Sequence, residues 1–319
     1  MTTSPGFLLG IDGGGTSTVA WLSDEFGAVL GRSKAGPSNA KAIGKDAARA
    51  ALSEAIALAF RDAGSTPQPV AVACLGLAGF GRPEDKALLT TWAKEERWAS
   101  RLVLVTDGDL VVAAGTPEGW GIGVIAGTGS IALGRSADGR TARSGGWGHL
   151  IGDEGSGYAI ALAGLRLVAR RADGRDPVRG SQDPLTQRIC ASLGVETASE
   201  IIGVLHSPVF DRARIAGLAP VVSAAALEDP VITATILRPA GRALAEMALA
   251  VARSLEYESG PLPLALAGGL LLGTFPVAEA LIAEIIRAGY DVVVDQVAEP
   301  VAGAIVLAKR ETRSGRRDV

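Results

Sequence analysis

Apolar residues recur with strand spacing over Phe7 to Ile11, Thr18 to Ser23 and Ala28 to Ser33, with a glycine turn and Asp24-Glu25-Phe26-Gly27 between them. This pattern predicts a three-stranded meander. The period then changes: Lys45 to Ala63 is rich in alanine and leucine at helical spacing and stops at Gly64, and Val70 to Leu75 is a continuous apolar run suited to a buried strand. Pro83 to Trp98 predicts a helix, and Leu102 to Val105 a short strand ending at Thr106-Asp107. A related pattern starts again at Gly121. Gly123 to Ala126, Ile131 to Gly134 and Arg140 to Ser144 predict strands, the first two joined by Gly127-Thr128-Gly129-Ser130. Helical spacing follows over Ile160 to Arg171, Leu185 to Leu193, Ala213 to Leu227 and Val231 to Glu256. Leu264 to Ala267, a glycine pair, a helix, the strand Asp291 to Val294 and a last helix near Val301 to Arg310 complete the chain.

The recurrence reads as a weak internal duplication whose second copy carries an all-helical insertion after its third strand. A length of 319 residues favours two domains of ordinary size. The expected organisation is an α/β protein with an N-terminal lobe over 1–118, a C-terminal lobe over 119–300, and a terminal helix of about 301–312 packing back on the first lobe.

Composition narrows the choice. With 48% hydrophobic and 20% charged residues the chain is globular, and a net charge of −3 offers no positive field for a nucleic-acid backbone. The basic stretch Arg310 to Arg317 is read as a solvated tail. Cys74 and Cys190 stand far apart with no second cysteine near either, which suggests neither a disulfide framework nor a metal cluster and fits a reducing cytoplasm. No signal-like N-terminus and no apolar run of about 18 residues is present, so no membrane partner is expected. The 42 glycines matter more, because they cluster where backbone must turn tightly or approach a ligand.

The first cluster is Leu9-Gly10-Ile11-Asp12-Gly13-Gly14-Gly15-Thr16-Ser17-Thr18. A strand delivers Asp12 to its carboxyl end, the glycines let backbone N–H groups approach an anion, and Thr16 and Ser17 add hydroxyls, a combination suited to a polyphosphate with its metal. A plain hairpin turn is the alternative. A dinucleotide turn fits poorly, since it must open a helix whereas Thr16 to Trp21 continues as strand. A Walker A loop is absent, because the Gly44-Lys45 pair is followed by Asp46.

Gly127-Thr128-Gly129-Ser130 occupies the matching turn of the second copy, so two glycine hairpins, one per lobe, are expected to grip phosphates. Between them Asp107 ends an apolar strand, where a carboxylate could take the proton of an attacking hydroxyl; it could equally cap the following helix, and Asp109 is the second candidate base. Gly145 to Gly157 packs Trp147, His149, Asp153 and Glu154 among six glycines, as expected of a loop closing on a polyhydroxylated ligand. Asp153 has the lone pairs to accept two hydroxyl protons. His149 reads as a structural histidine, since nothing supplies a triad around it.

The D-G-G-G-T turn, the G-T-G-S turn and above all G-G-W-G-H-x-x-G-D-E-G-S resemble the BadF/BadG/BcrA/BcrD ATPase group and, within it, the N-acetylglucosamine kinases. The resemblance spans essentially the whole chain. It implies a two-lobed actin/hexokinase-like fold, that is, a duplicated ribonuclease H-like fold, with ATP and Mg²⁺ as cofactors. Asp12, Gly13, Gly14, Gly15, Thr16, Ser17, Thr18, Gly127, Thr128, Gly129 and Ser130 would hold the ATP phosphates, and Gly268 and Gly269 would contact adenosine. Asp107 would be the base, Asn39, Asp107, Gly146, Trp147 and Asp153 would line the sugar, and Asp12 would orient Mg²⁺ through water. Asn39 and Phe80 are the loop positions expected to decide which C2 substituent is preferred.

Departures separate the branches of the group. Activators of 2-hydroxyacyl-CoA dehydratases hold an iron–sulfur cluster by cysteines, which two isolated cysteines cannot build. The zinc-binding cysteine and histidine cluster usual in the other large bacterial group of sugar kinases on this fold is missing too. The expectation is therefore an ATP-dependent kinase for the 6-hydroxyl of an amino sugar, N-acetylglucosamine first, with glucosamine or N-acetylmuramic acid as alternatives. A regulatory ATPase of the same fold is the rival from another class. A cytoplasmic location and a homodimer complete it.

Overall fold

The computed structural model describes residues 6–78, 82–116, 119–176, 183–207, 209–257 and 260–314; Phe80 and positions 315–317 of the basic tail lie outside the described residues. The chain forms two compact units, Met1–Trp120 with Glu299–Val319, and Gly121–Ala298. Each unit contains one five-stranded mixed sheet.

In the first unit the strands are β1 (Leu8–Gly13), β2 (Thr18–Ser23), β3 (Val29–Ala35), β4 (Val70–Leu77) and β5 (Ala99–Val105), in the order β3-β2-β1-β4-β5. β1 pairs antiparallel with β2 and parallel with β4, and β4 pairs parallel with β5. Leu9 and Ile11 of β1, Leu75 of β4 and Phe60 of the helix Lys45–Asp62 share one core, so the sheet's middle strands read as continuous apolar runs. The helix Val301–Ser314 covers the opposite side of the same strands through Ala304 and Ala308, which pack with Leu8, Val72, Cys74 and Leu110.

The second unit repeats the plan. β6 (Gly121–Ala126), β7 (Ser130–Arg135), β8 (Thr141–Gly145), β9 (Pro261–Ala267) and β10 (Asp291–Val297) run β10-β9-β6-β7-β8, the same succession of two antiparallel and two parallel pairings. Two copies of one mixed-sheet topology make this a two-lobed α/β, ribonuclease H-like duplicated fold of the actin/hexokinase type. The helical insertion enters after β8 and spans Gly157 to Ser254. Within it Arg171, almost wholly buried, donates to Asp183 at 2.7 Å and to Asp229, tying three segments together.

The structure departs from the periodicity in two helices. Ala213 to Leu227 is broken at Gly217-Leu218 into Arg212–Ala216 and Ala219–Ala225, where Pro220 takes the first turn of a new helix, a position that does not need its missing N–H. Val231 to Glu256 passes through a π-turn over Thr233–Leu237 that ends two residues before Pro239, whose ring and absent N–H forbid the regular bond to the fourth residue back. The helix after the strand that ends at Thr106-Asp107 spans Asp107–Gly115 and is capped by Thr106.

Candidate active site

Unit one carries the first glycine turn. β1 delivers Asp12 opposite Val19 of β2 and Gly76 of β4, and the turn is closed by Gly14 N–H donating to Ser17 O at 3.0 Å. The loop bearing Asn39 is pinned to it. Ser38 N–H donates to Gly14 O at 3.1 Å and Thr18 Oγ1 to Gly36 O at 2.8 Å, so the Thr18 hydroxyl is a structural bond and not an open donor. Gly13 has no room for a side chain, since a Cβ would lie 2.3 Å from Ser38 Oγ. Gly15 and Thr16 are exposed, and nothing crowds Gly15. Asn39 accepts from Lys41 N–H at 3.1 Å, capping the short helix after it.

Asp107 and Asp109 divide sharply in role. Thr106 is the cap of the helix Asp107–Gly115, and Asp109 completes a capping box, accepting from Thr106 N–H at 2.9 Å and Thr106 Oγ1 at 2.7 Å. Asp107, in the first turn, is thus not the cap. Its carboxylate accepts from the adjacent Gly108 N–H at 3.0 Å and from its own backbone N–H, and the residue is exposed. Asp12 feels the charge of Asp107. Burial, then the Asp107 charge, pushes Asp12 up to about 6. The protein packed around Asp107 also raises its carboxyl above the usual range, opposed by the Gly108 N–H and aided by the Asp109 charge.

In unit two the predicted positions gather around the turn between β6 and β7. Gly127 N–H donates to Gly129 O at 2.9 Å, Ser130 N–H to Asp153 Oδ1 at 3.2 Å, Ser130 Oγ to Glu154 O at 2.6 Å, and Gly146 N–H to Ser130 O at 3.0 Å. The glycine-rich loop and the phosphate-type turn are therefore one hydrogen-bonded body. Asp153 is 3% exposed, holds a positive φ of 61°, and takes Arg212 Nη2 on its Oδ2. Gly155 is required by geometry: its φ is +72°, and a Cβ would lie 2.5 Å from Ala240 O. Trp147 is largely exposed, with Arg143 stacked 5.4 Å from its ring, and His149 meets Tyr158 edge-on at 5.2 Å.

A cavity of about 690 Å³ opens beside this turn, within the size range of small-molecule pockets. Gly127, Thr128 and Gly157 form one wall, Ala216 and Ala224 a second, and Gly269 a third. Gly268 brings that third wall close, as a Cβ there would lie 2.3 Å from Ala126 O.

Sequence reasoning missed three features. The Thr106-x-x-Asp109 spacing was legible as a capping box. Arg212 and the buried hydroxyl of Ser38, which has no hydrogen-bond partner, carry no local signal.

Cys74 and Cys190 are both buried and free, and burial pushes the Cys74 thiol up to about 12, so it is inert at neutral pH. Among the described residues no helix is long and apolar enough to cross a membrane, and no group of three or more His, Cys, Asp or Glu is placed to hold a metal ion.

The chain is similar to known proteins in sequence and in fold. The chain is 32% identical over 265 residues, 83% of its length and 85% of the relative's, to the N-acetylmuramic acid/N-acetylglucosamine kinase of Clostridium acetobutylicum. It is 32% identical over 272 residues, 82% of its length and 84% of the relative's, to the N-acetyl-D-glucosamine kinase of Dictyostelium discoideum. A crystal structure from Chromobacterium violaceum, provisionally named an N-acetylglucosamine kinase, superposes with a TM-score of 0.73 at 30% identity, covering 96% of this chain and 100% of that one. The model of the BadF/BadG/BcrA/BcrD ATPase family matches residues 9–308, which takes in both sheets, both glycine turns and the helical insertion. The chain belongs to the BadF/BadG/BcrA/BcrD ATPase family.

Proposed function

We propose that this protein transfers the terminal phosphoryl group of ATP to the 6-hydroxyl of N-acetylglucosamine. The observation that carries the reading is Asp107: at the end of β5 one acid is consumed by the helix cap, and the other keeps a carboxylate open to solvent with a raised pKa. A base is most effective when its pKa approaches the working pH, and partial desolvation by the protein packed around Asp107 moves it in that direction. The two relatives at 32% identity, both named as kinases of N-acetylglucosamine, support the substrate class.

In this reading Asp107 takes the proton of the 6-hydroxyl, whose oxygen lone pair forms the bond to the terminal phosphorus. The bond from that phosphorus to the bridging oxygen breaks, and its electron pair leaves with ADP. The cavity beside Gly127 and Gly269 receives the nucleoside, with Gly127 to Ser130 and Asp12 to Thr18 as the phosphate turns. Asn39, Gly146, Trp147 and Asp153 line the sugar; Asp153 keeps a second lone pair on each oxygen, and its burial requires the surrounding loop to shift for direct contact. Asp12 suits Mg²⁺, because a lone carboxylate beside a polyphosphate is the usual protein share of such a site, phosphate and water supplying the rest. When bound, the ion would neutralise phosphate charge. A cytoplasmic setting and a homodimer rest on likeness to the family alone.

A second reading, N-acetylmuramic acid as substrate, is favoured by the Clostridium acetobutylicum relative, whose name includes both sugars. Initial rates of ADP release for N-acetylglucosamine, N-acetylmuramic acid, glucosamine and glucose, with products identified by NMR, test the choice. ADP release is expected only with sugar, and fastest with N-acetylglucosamine. Loss of one buried polar contact lowers kcat/KM by roughly ten- to a hundredfold. Steady ATP hydrolysis with no sugar phosphorylated would instead favour a regulatory ATPase.

A further inference from the structure

One basic side chain lies against the second glycine turn. Arg212 begins the helix Arg212–Ala216, whose Ala213 and Ala216 line the cavity together with Gly127 and Thr128. Its guanidinium covers Gly129 so closely that a Cβ on that glycine would be 2.6 Å from Nη2. Nη2 donates to Asp153 Oδ2, and the other oxygen of the same carboxylate accepts from Ser130 N–H at 3.2 Å. A single buried acid thus fixes the arginine relative to the backbone of the turn. The guanidinium is left half-satisfied. Its Nε is buried and has no hydrogen-bond partner, although about a third of the side chain is exposed.

Arg171, which only ties the insertion together, also leaves its Nε without a partner, so what sets Arg212 apart is its place on the glycine turn with about a third of its side chain exposed, where Arg171 is 6% exposed. A planar fork anchored by one nitrogen and partly exposed, lying on a glycine turn whose Gly127 and Thr128 line a nucleotide-sized cavity, is arranged for an anion. We propose that Arg212 is a ligand of the terminal phosphates of the bound nucleotide, aimed by Asp153, and that it carries part of the charge stabilisation during phosphoryl transfer. This rests on the kinase reading above. The bonds made and broken are those already described; Arg212 gains no covalent bond and loses no proton, and its attraction to the departing ADP oxygens grows as negative charge collects on them. Asp153 is a positioning residue in this scheme.

The test is calorimetry and kinetics on the full chain with Arg212→Ala, Arg212→Lys and Asp153→Asn, using adenosine and the non-hydrolysable β,γ-imido analogue of ATP with Mg²⁺. Adenosine affinity should stay within twofold of wild type in all three. Affinity for the analogue should fall tenfold or more in Arg212→Ala, and kcat should fall by about 10²–10³, the scale of a lost charge-stabilising donor. Arg212→Lys keeps charge but not the fork, and should recover only part of the loss. Free guanidinium should restore part of the Arg212→Ala rate, which a merely structural defect would not permit. Analogue affinity and kcat unchanged in Arg212→Ala and Arg212→Lys would overturn the proposal and leave the kinase reading standing. A wild-type protein that binds neither compound would overturn the kinase reading itself.

Discussion

Asp109 accepts both the backbone N–H and the hydroxyl of Thr106, at 2.9 and 2.7 Å, and that reciprocal cap leaves Asp107 as the uncommitted acid at the end of β5. Asp107→Asn is therefore expected to lower kcat by about 10² or more with little change in KM for either substrate. Asp109→Asn should keep kcat within a few-fold and lower stability by about 1 kcal/mol, the usual scale of a cap. Coupled ADP-release rates and urea unfolding check the pair, and a reversed order of activities would reassign the base.

Asp12 ties metal dependence to pH. Its folded pKa of about 6 lies above the 3.8 of an unperturbed aspartate, so between these values the folded chain holds a proton that the unfolded chain has released. Stability contributed by that proton is present at low pH and lost as pH rises towards 6. Asp12→Asn should accordingly stabilise the protein at pH 7, by at most about 3 kcal/mol, with the gain shrinking below pH 6 and absent below about pH 4. Urea unfolding across pH 3.5 to 8 measures it.

The same substitution should raise the Mg²⁺ concentration needed for half-maximal rate, while sugar affinity measured without nucleotide stays unchanged. In the wild type the acid limb of the rate profile should lie above the ordinary carboxylate range, since both Asp12 and Asp107 are raised. A limb near pH 4 would mean that neither raised group limits turnover.

Gly155→Ala should destabilise by roughly 2 kcal/mol or more, because the added methyl must adopt a φ of +72° and meets Ala240 O at 2.5 Å. Denaturant midpoints give the number. Substitution of exposed, uncrowded Gly15 by Ala should leave stability within about 0.5 kcal/mol and show its effect, if the phosphate reading holds, in KM for ATP.

Ala224→Phe places a ring on the wall of the 690 Å³ cavity and should raise the dissociation constant for adenosine at least tenfold while sparing sugar binding. Calorimetry with each ligand alone separates the two effects.

Much of this protein was legible in the residues themselves, because the signals are local. Alternating apolar runs marked the strands, an acid followed by glycines marked the turn after β1, and the recurrence of strand, glycine turn and strand marked the second copy. The Thr106 cap was equally local and needed only the spacing to be read. Helical spacing alone could not show that Gly217 and Pro220 break one helix or that Pro239 follows a π-turn, since neighbouring turns with adequate spacing look continuous. Arg212 and Asp153 stand 59 residues apart and meet only because the helical insertion folds back on the glycine loop. The cavity is likewise walled by segments from across unit two. Periodicity records which face of an element is apolar, whereas which faces meet is set by packing between distant segments, and that part of the site existed only once the chain had folded.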